Sequence, residues 1–348
     1  MIRSAGVLVA FATAGARGDE TLCNIPVFRY ALERWNSATY EVIVFHQGPL
    51  DGDARAAVDA LRAGGANIEV DHADLDRDPS PRLKKIWEAQ TGAAPPWMAA
   101  LFPGMDRAAW SGPASRAGVG ALLDSPARRE LSHRLLAGDS AVWILLESGD
   151  PVKDDAASLL LDRRLRHLET SLRIPPRAPD DPPLLSDVPM KIAFSTLRLS
   201  RKDPAEESFV EMLRRSQPSV EGPAVLAVFG RGRALPPIWA ADLNGETLDL
   251  TGEFVAGPCA CEVKESNPGL DLLLSVDWDQ ALSVARSEAE TPVPEPVIAP
   301  RSPTAAAPSA APPASPGSGR SPRPFLWAGL GLAGILLLIT GTRALRRA

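Results

Sequence analysis

Eleven of the chain's 34 prolines fall within residues 291–324, interleaved with Ala and Ser. Proline removes a backbone donor and fixes φ, so neither a helix nor a central strand runs through such a stretch. It reads as an extended, semi-stiff stalk, rising about 3.1 Å per residue where it is polyproline-like. Globular structure is therefore expected to be complete before it begins. Residues 325–342 follow without a charge, rich in Leu, Ile, Gly and Ala. At about 1.5 Å per residue they reach roughly 27 Å, enough to span a hydrocarbon core. Arg343, Arg346 and Arg347 then place the tail, 343–348, on the cytoplasmic side, with Trp327 near the outer interface.

At the other end, Met1-Ile2-Arg3 leads into an apolar run, 5–16, that closes on Ala14-Gly15-Ala16. A basic residue, a short apolar core and a small-residue site describe a secretory signal cleaved before Arg17. The expected topology is a signal peptide (1–16), an extracytoplasmic folded region, a disordered Pro/Ala-rich stalk (286–324), one transmembrane helix (325–342) and a basic cytoplasmic tail. With 31 Arg against 6 Lys, the composition points to a bacterial single-pass membrane protein with its bulk on the periplasmic side. Lys and Arg total 37 against 43 Asp and Glu, a net charge of -6. Such a chain has no basic field to hold polyanions, so nucleic acid is not an expected partner. The expected partners are the membrane, through the C-terminal helix, and an envelope protein.

The folded region alternates strand and helix, which predicts an α/β class with right-handed crossovers. Val27, Phe28, Ala31, Leu32 and Trp35 recur at helical spacing. Tyr40-Glu41-Val42-Ile43-Val44-Phe45-His46 is a β-branched and aromatic run that stops at Gln47-Gly48-Pro49, so it reads as a buried strand. A helix over 53–63, a strand over 67–72, a helix over 81–90 and a strand over 97–102 follow. Residues 111–137 read as a helical connector, broken by glycines before a helix over 124–137. A strand over 141–146, a long amphipathic helix over 154–172, a strand over 191–197, a helix opened by Asp203-Pro204 and a strand over 224–229 then repeat the theme.

The run Val70-Asp71-His72-Ala73-Asp74-Leu75-Asp76, the helix after it, and Gly92-Ala93-Ala94-Pro95-Pro96-Trp97 leading into Leu101-Phe102-Pro103-Gly104 resemble the second half of a thioredoxin-like domain. The resemblance covers about residues 24–105. It implies a thioredoxin-like domain at 17–110, with Pro96 or Pro95 as the counterpart of that family's cis-proline. A second unit at 138–285 resembles the family by the order of its elements. The fold expected is α/β, two thioredoxin-like domains in tandem. The departure from the family lies after the first strand, where its oxidoreductases carry Cys-x-x-Cys at a helix start that lowers the thiol pKa. Here the place is held by His46-Gln47-Gly48-Pro49-Leu50-Asp51. The resemblance thus implies a domain without dithiol chemistry.

Candidate chemistry rests on few residues. Cys259-Ala260-Cys261 places two thiols one residue apart, suited to a strained, reducible disulfide or to Cu(I), or simply to structural thiols in a loop. Cys23 pairs with one of them only if the two domains pack closely. His46 at a strand end is a candidate acid or base, or a half-buried polar residue. Asp74, Asp76 and Asp78 read as solvated turn residues, with a weak Ca²⁺ site as the other use. Gly230-Arg231-Gly232-Arg233 reads as a hairpin turn in preference to an anion site. No Gly-x-Ser-x-Gly, His-Glu-x-x-His or dinucleotide fingerprint is present, and no cofactor is expected. The function expected is a membrane-anchored extracytoplasmic binding or assembly module. The competing class is a tethered thiol oxidoreductase or copper-handling protein using Cys259 and Cys261.

Overall fold

The computed structural model describes residues 23–216, 221–259 and 263–283. The signal peptide, stalk, membrane span and tail expected above, and Cys261, lie outside the described residues. Among the described residues no helix is long and apolar enough to cross a membrane. All of them belong to one compact unit.

Helix α1 (Val27–Arg34) leads into β1 (Tyr40–His46), α2 (Gly52–Ala63), β2 (Ile68–Asp74), α3 (Pro81–Glu88), β3 (Trp97–Leu101), β4 (Ala108–Pro113) and α4 (Arg116–Leu123). After α5 (Pro126–Leu136) come β5 (Ala141–Leu146), α6 (Pro151–Ser171), β6 (Phe194–Leu199), α7 (Glu207–Ser216), β7 (Ala224–Phe229), β8 (Arg233–Ala234), β9 (Ile238–Trp239), α8 (Gly245–Ala256) and β10 (Leu270–Asp271). The helix starts follow local chemistry. Ser80, Ser125 and Asp150 each accept a backbone N–H of the first turn, and each is followed by a proline that has no donor to lose.

The chain is an α/β protein with two sheets. The first has the order β2-β1-β3-β4; the second runs β10-β8-β7-β5-β6, with β9 on the side of β7. In the first, β1 and β2 are parallel and β3 is antiparallel to both β1 and β4. In the second, β5 and β6 are parallel and β7 is antiparallel to both β5 and β8. Each has a 3-10 turn after its second strand, capped by Asp74 and Asp203 respectively. A proline stands directly before the third strand of each: Pro223 before β7, and Pro96 before β3, where the Pro95–Pro96 bond is cis.

Both sheets are covered on two sides, which is why β5 and β7 are apolar at every position. On the first sheet, Ala57, Val58 and Leu61 of α2 pack with Val119, Leu122 and Leu123 of α4 over Val42 and Val44. Ile86 of α3 packs with Ile43 and Phe45 on the reverse. On the second sheet, α6 and α8 share one face, and α5 and α7 share the other.

Two features depart from expectation. Residues 111–123, read as the glycine-broken start of a helical connector, form the end of the edge strand β4 and helix α4. Helix α1, expected within the first domain, instead buries Val27, Phe28 and Ala31 against Phe229, Val255 and Leu168 on the second sheet. The C-terminal segment makes the opposite crossing. Leu273 joins the core of the first sheet, and Asn67 holds the segment by donating to Leu272 O at 3.2 Å and accepting from Leu274 N at 3.0 Å. The expected boundary at residue 110 therefore does not separate two self-contained cores.

Candidate functional site

The carboxyl ends of β1 and β2 carry the polar residues that the sequence singles out. His46 continues the face of Val42 and Val44 and emerges at the strand end, where its Nδ1 lies 2.7 Å from Gly48 O. A carbonyl only accepts, so Nδ1 carries a proton and donates it there. The φ of +63° at Gly48, a region L side chains rarely adopt, turns the chain so that Gly48 N donates to Asp74 Oδ1 at 3.2 Å. His72 on β2 meets His46 edge to face, with ring centroids 5.8 Å apart. Its Nε2 accepts from Arg62 Nη2 at 3.0 Å.

Burial holds the His72 pKa below the ordinary histidine value, and Arg62 and His46 depress it further. The folded state therefore favours neutral His72. Its contribution to stability is fully present above the ordinary value and is lost as pH falls through the lowered one. Asp74 is also below its ordinary value. Burial opposes this, but the N–H groups of Asp76 and Gly48 outweigh it. We expect Arg62→Gln to raise the His72 pKa without restoring it fully, since burial, the leading cause, remains. An NMR titration of the His72 ring reads this directly, and an unchanged pKa would rule out the Arg62 contact.

The site is two imidazoles, of which His72 is held towards its neutral form, beside a carboxylate bonded to backbone. No nucleophile stands at hydrogen-bond distance from either ring among the described residues. No group of three His, Cys, Asp or Glu able to hold a metal is found among them, so Asp74, Asp76 and Asp78 gain no support as a Ca²⁺ site. Asp78 pairs with Lys84 instead. Of the two candidate prolines, Pro96 is the one that follows a cis bond.

The cysteines lie elsewhere. Cys259 is 1% exposed and Cys23 7%, both in the core between α1, α6 and α8. Cys259 N donates to Ile25 O at 2.9 Å, beside a bridge that pairs Pro26 with Pro258. Cys23 and Cys259 thus share one core because the N-terminal segment packs on the second sheet, and no disulfide joins the two. A thiol so buried is out of reach of solvent reagents.

The Gly230–Arg233 segment is the hairpin between β7 and β8, as expected. Its arginines are consumed internally: Arg231 Nε donates to Leu32 O at 2.8 Å, and Arg233 pairs with Asp271 at 3.0 Å. A Cβ on Gly230 would stand 2.6 Å from Ala31 Cβ, so glycine lets α1 lie against this turn. A cavity of about 310 Å³ at the opposite end of β1 is lined by Glu41, Arg82, Met105 and Asp106. There Arg82 clasps both oxygens of Glu41, at 2.9 and 2.6 Å, and Asp106 at 2.7 Å. No signal in the sequence pointed to this cavity or to the contact between His46 and His72, which depends on strands 22 or more residues apart pairing in parallel. No protein-family model, curated protein or solved structure matches the chain.

Proposed function

We propose that the chain is a membrane-anchored extracytoplasmic binding or assembly module, built from two thioredoxin-like units without dithiol chemistry. The carrying observation is the shared plan of the two sheets. Each runs second, first, third, fourth in strand order with the third strand reversed, helices alternate between the faces, and a proline precedes the third strand. In a thioredoxin-like frame, the reactive place is the turn after the first strand. Here those turns read His46-Gln47-Gly48-Pro49 and Glu147-Ser148-Gly149-Asp150, without cysteine. The anchor and the periplasmic side rest on the signal, stalk and span of the sequence, and the partner class is an envelope protein.

The test is native thiol chemistry on the full chain, with mass spectrometry before and after mild reduction and with Cu(I) added. We expect no alkylation of Cys259 without denaturant and no turnover with a disulfide substrate. A rapidly reducible bond, or stoichiometric Cu(I) lost in the Cys259→Ser, Cys261→Ser double variant, would replace this function with the thiol or copper class.

A further inference from the structure

The two sheets end in the edge strands β2, β4, β6 and β10, and the fold treats the three longer ones differently. β4 is met by α7: Trp110 Nε1 donates to Ser208 Oγ at 3.1 Å, and Arg215 Nη1 to Ala108 O at 3.4 Å. β6 is stoppered by side chains from both faces of its sheet. Phe194 N donates to Glu169 Oε1 of α6 at 2.8 Å, and Thr196 O accepts from Arg134 Nη1 of α5 at 3.0 Å. An unpaired strand edge invites other chains, and covers of this kind prevent it. Among the described residues β2 has no comparable cover.

The parallel register fixes which backbone groups of β2 are spare. Tyr40 N donates to Asn67 O at 2.9 Å and Tyr40 stands opposite Ile68, so the alternation of a parallel ladder turns residues 67, 69, 71 and 73 towards β1. Ile68, Val70 and His72 therefore aim their N–H and C=O groups outwards. His72 N donates to Asp71 Oδ1 at 2.7 Å and Ile68 N to Ala66 O at 2.8 Å. Val70 N, Val70 O, Ile68 O and His72 O keep no partner among the described residues. The side chains divide the same edge into two faces. Glu69 and Asp71 are exposed on the face of α3, where Glu41 stands opposite Glu69. Neither forms an ion pair among the described residues, and Arg82, which lines one cavity with Glu69, is held by Glu41 and Asp106. Ile68 and Val70 are half-buried on the face of α2, where Arg62 at His72 already supplies a cation.

We propose that β2 is a docking edge for an extended segment of a partner protein that carries basic residues at every second position. The added strand pairs with Val70 through both of its backbone groups and bonds to Ile68 O and His72 O on either side. Strand side chains alternate, so the residues opposite Glu69 and Asp71 fall on the acidic face and the one between them extends the face of Ile68 and Val70. The pattern that fits is basic, apolar, basic. A second copy of β2 is a poor occupant, since pairing two such edges sets Glu69 and Asp71 against like charges, which destabilises cross-strand pairs. The inference deepens the binding-module reading and rests on it for the existence of a partner. Thiol turnover and strand docking are read separately, because no cysteine lies on β2.

The probe is the peptide Thr-Lys-Val-Lys-Val-Lys-Thr, blocked at both ends and added to the full chain at constant ionic strength. Calorimetry is expected to show saturable one-to-one binding. Amide hydrogen exchange should slow at Val70 N–H, because that donor passes from water into a ladder. The double variant Glu69→Gln, Asp71→Asn should bind about tenfold more weakly, the effect of losing two cross-strand ion pairs. Both side chains are exposed, and Asn keeps an oxygen for His72 N, so the variant retains the fold. Glu253→Gln, on the exposed side of α8, leaves affinity unchanged. The same peptide with Glu in place of Lys, or with its five inner amides N-methylated, should not bind. A heat that never saturates would overturn the docking edge. So would equal binding of the methylated peptide, or binding that leaves exchange at Val70 N–H as it was, since either means attraction by charge alone. Protection of Val70 N–H that rises with protein concentration in the absence of peptide would assign β2 to a second copy and overturn the basic partner.

Discussion

Asp271→Ala is expected to lower unfolding free energy by about 3–5 kcal/mol, the range for breaking a buried ion pair by deleting one partner. Asp271 is 3% exposed and joins two cations, Arg233 Nη1 at 3.0 Å and Lys264 Nζ. Its Oδ2 also accepts from Ala38 N at 2.6 Å, and its backbone carbonyl from the Tyr40 hydroxyl at 2.8 Å. Lys264 reaches on to Asn36 O. The carboxylate thus sits where the link between α1 and β1 passes the end of the second sheet. Removing it strands two charges and releases that link. Urea denaturation of the two proteins measures the loss, which is a large share of the roughly 5–15 kcal/mol a domain holds. Adding Arg233→Met should recover part of it, because an apolar replacement needs no counter-ion. A loss under about 1 kcal/mol, the value for a solvent-screened pair, would mean that the cluster is open to water.

The parts of the fold that were legible in the sequence are those whose signal is local. Strand β1 was readable from end to end because a β-branched and aromatic run ends at glycine and proline. Helix α6 was readable because its leucines recur at helical spacing, although it starts at Pro151 behind the Asp150 cap, three residues before the start expected. Residues 111–123 were not, because glycine carries two opposite meanings. In Arg116-Ala117-Gly118-Val119-Gly120 it suggested a broken helix, yet Gly118 is there for close packing. A Cβ on it would stand 2.1 Å from Pro113 O and 3.3 Å from Met98 Cε. The partner of α1 was hidden for a related reason. Periodicity tells which face of a helix is buried but not against what, and chain proximity favoured the first sheet. The candidate site was half legible. His46 and the missing dithiol could be read from the turn, whereas the burial of Cys259 and the meeting of His46 with His72 arise only when distant segments meet.

That exchange of segments has a second large consequence. A fragment of residues 124–285 holds every strand of the second sheet and the helices α5 to α8 that cover it, but lacks α1. In the intact chain α1 buries Val27, Phe28, Tyr30 and Ala31 on that sheet. At about 1.5–3 kcal/mol for each large apolar side chain buried, their absence removes a contribution comparable with the whole net stability of a domain. The loss is not only apolar. Arg231 loses its acceptors Leu32 O, Glu33 O and Asn36 Oδ1 and keeps only Asp279, and a buried donor left unsatisfied costs more than the bond itself. We therefore expect the isolated fragment to show no cooperative thermal transition and a poorly dispersed amide spectrum. A chain starting at residue 23 and ending at residue 285 should unfold in one transition by every probe. Adding a peptide of residues 23–36 to the fragment should restore dispersion in proportion to peptide concentration, because folding is then linked to binding. A fragment that melts cooperatively by itself would mean that α1 decorates the second sheet without completing its core.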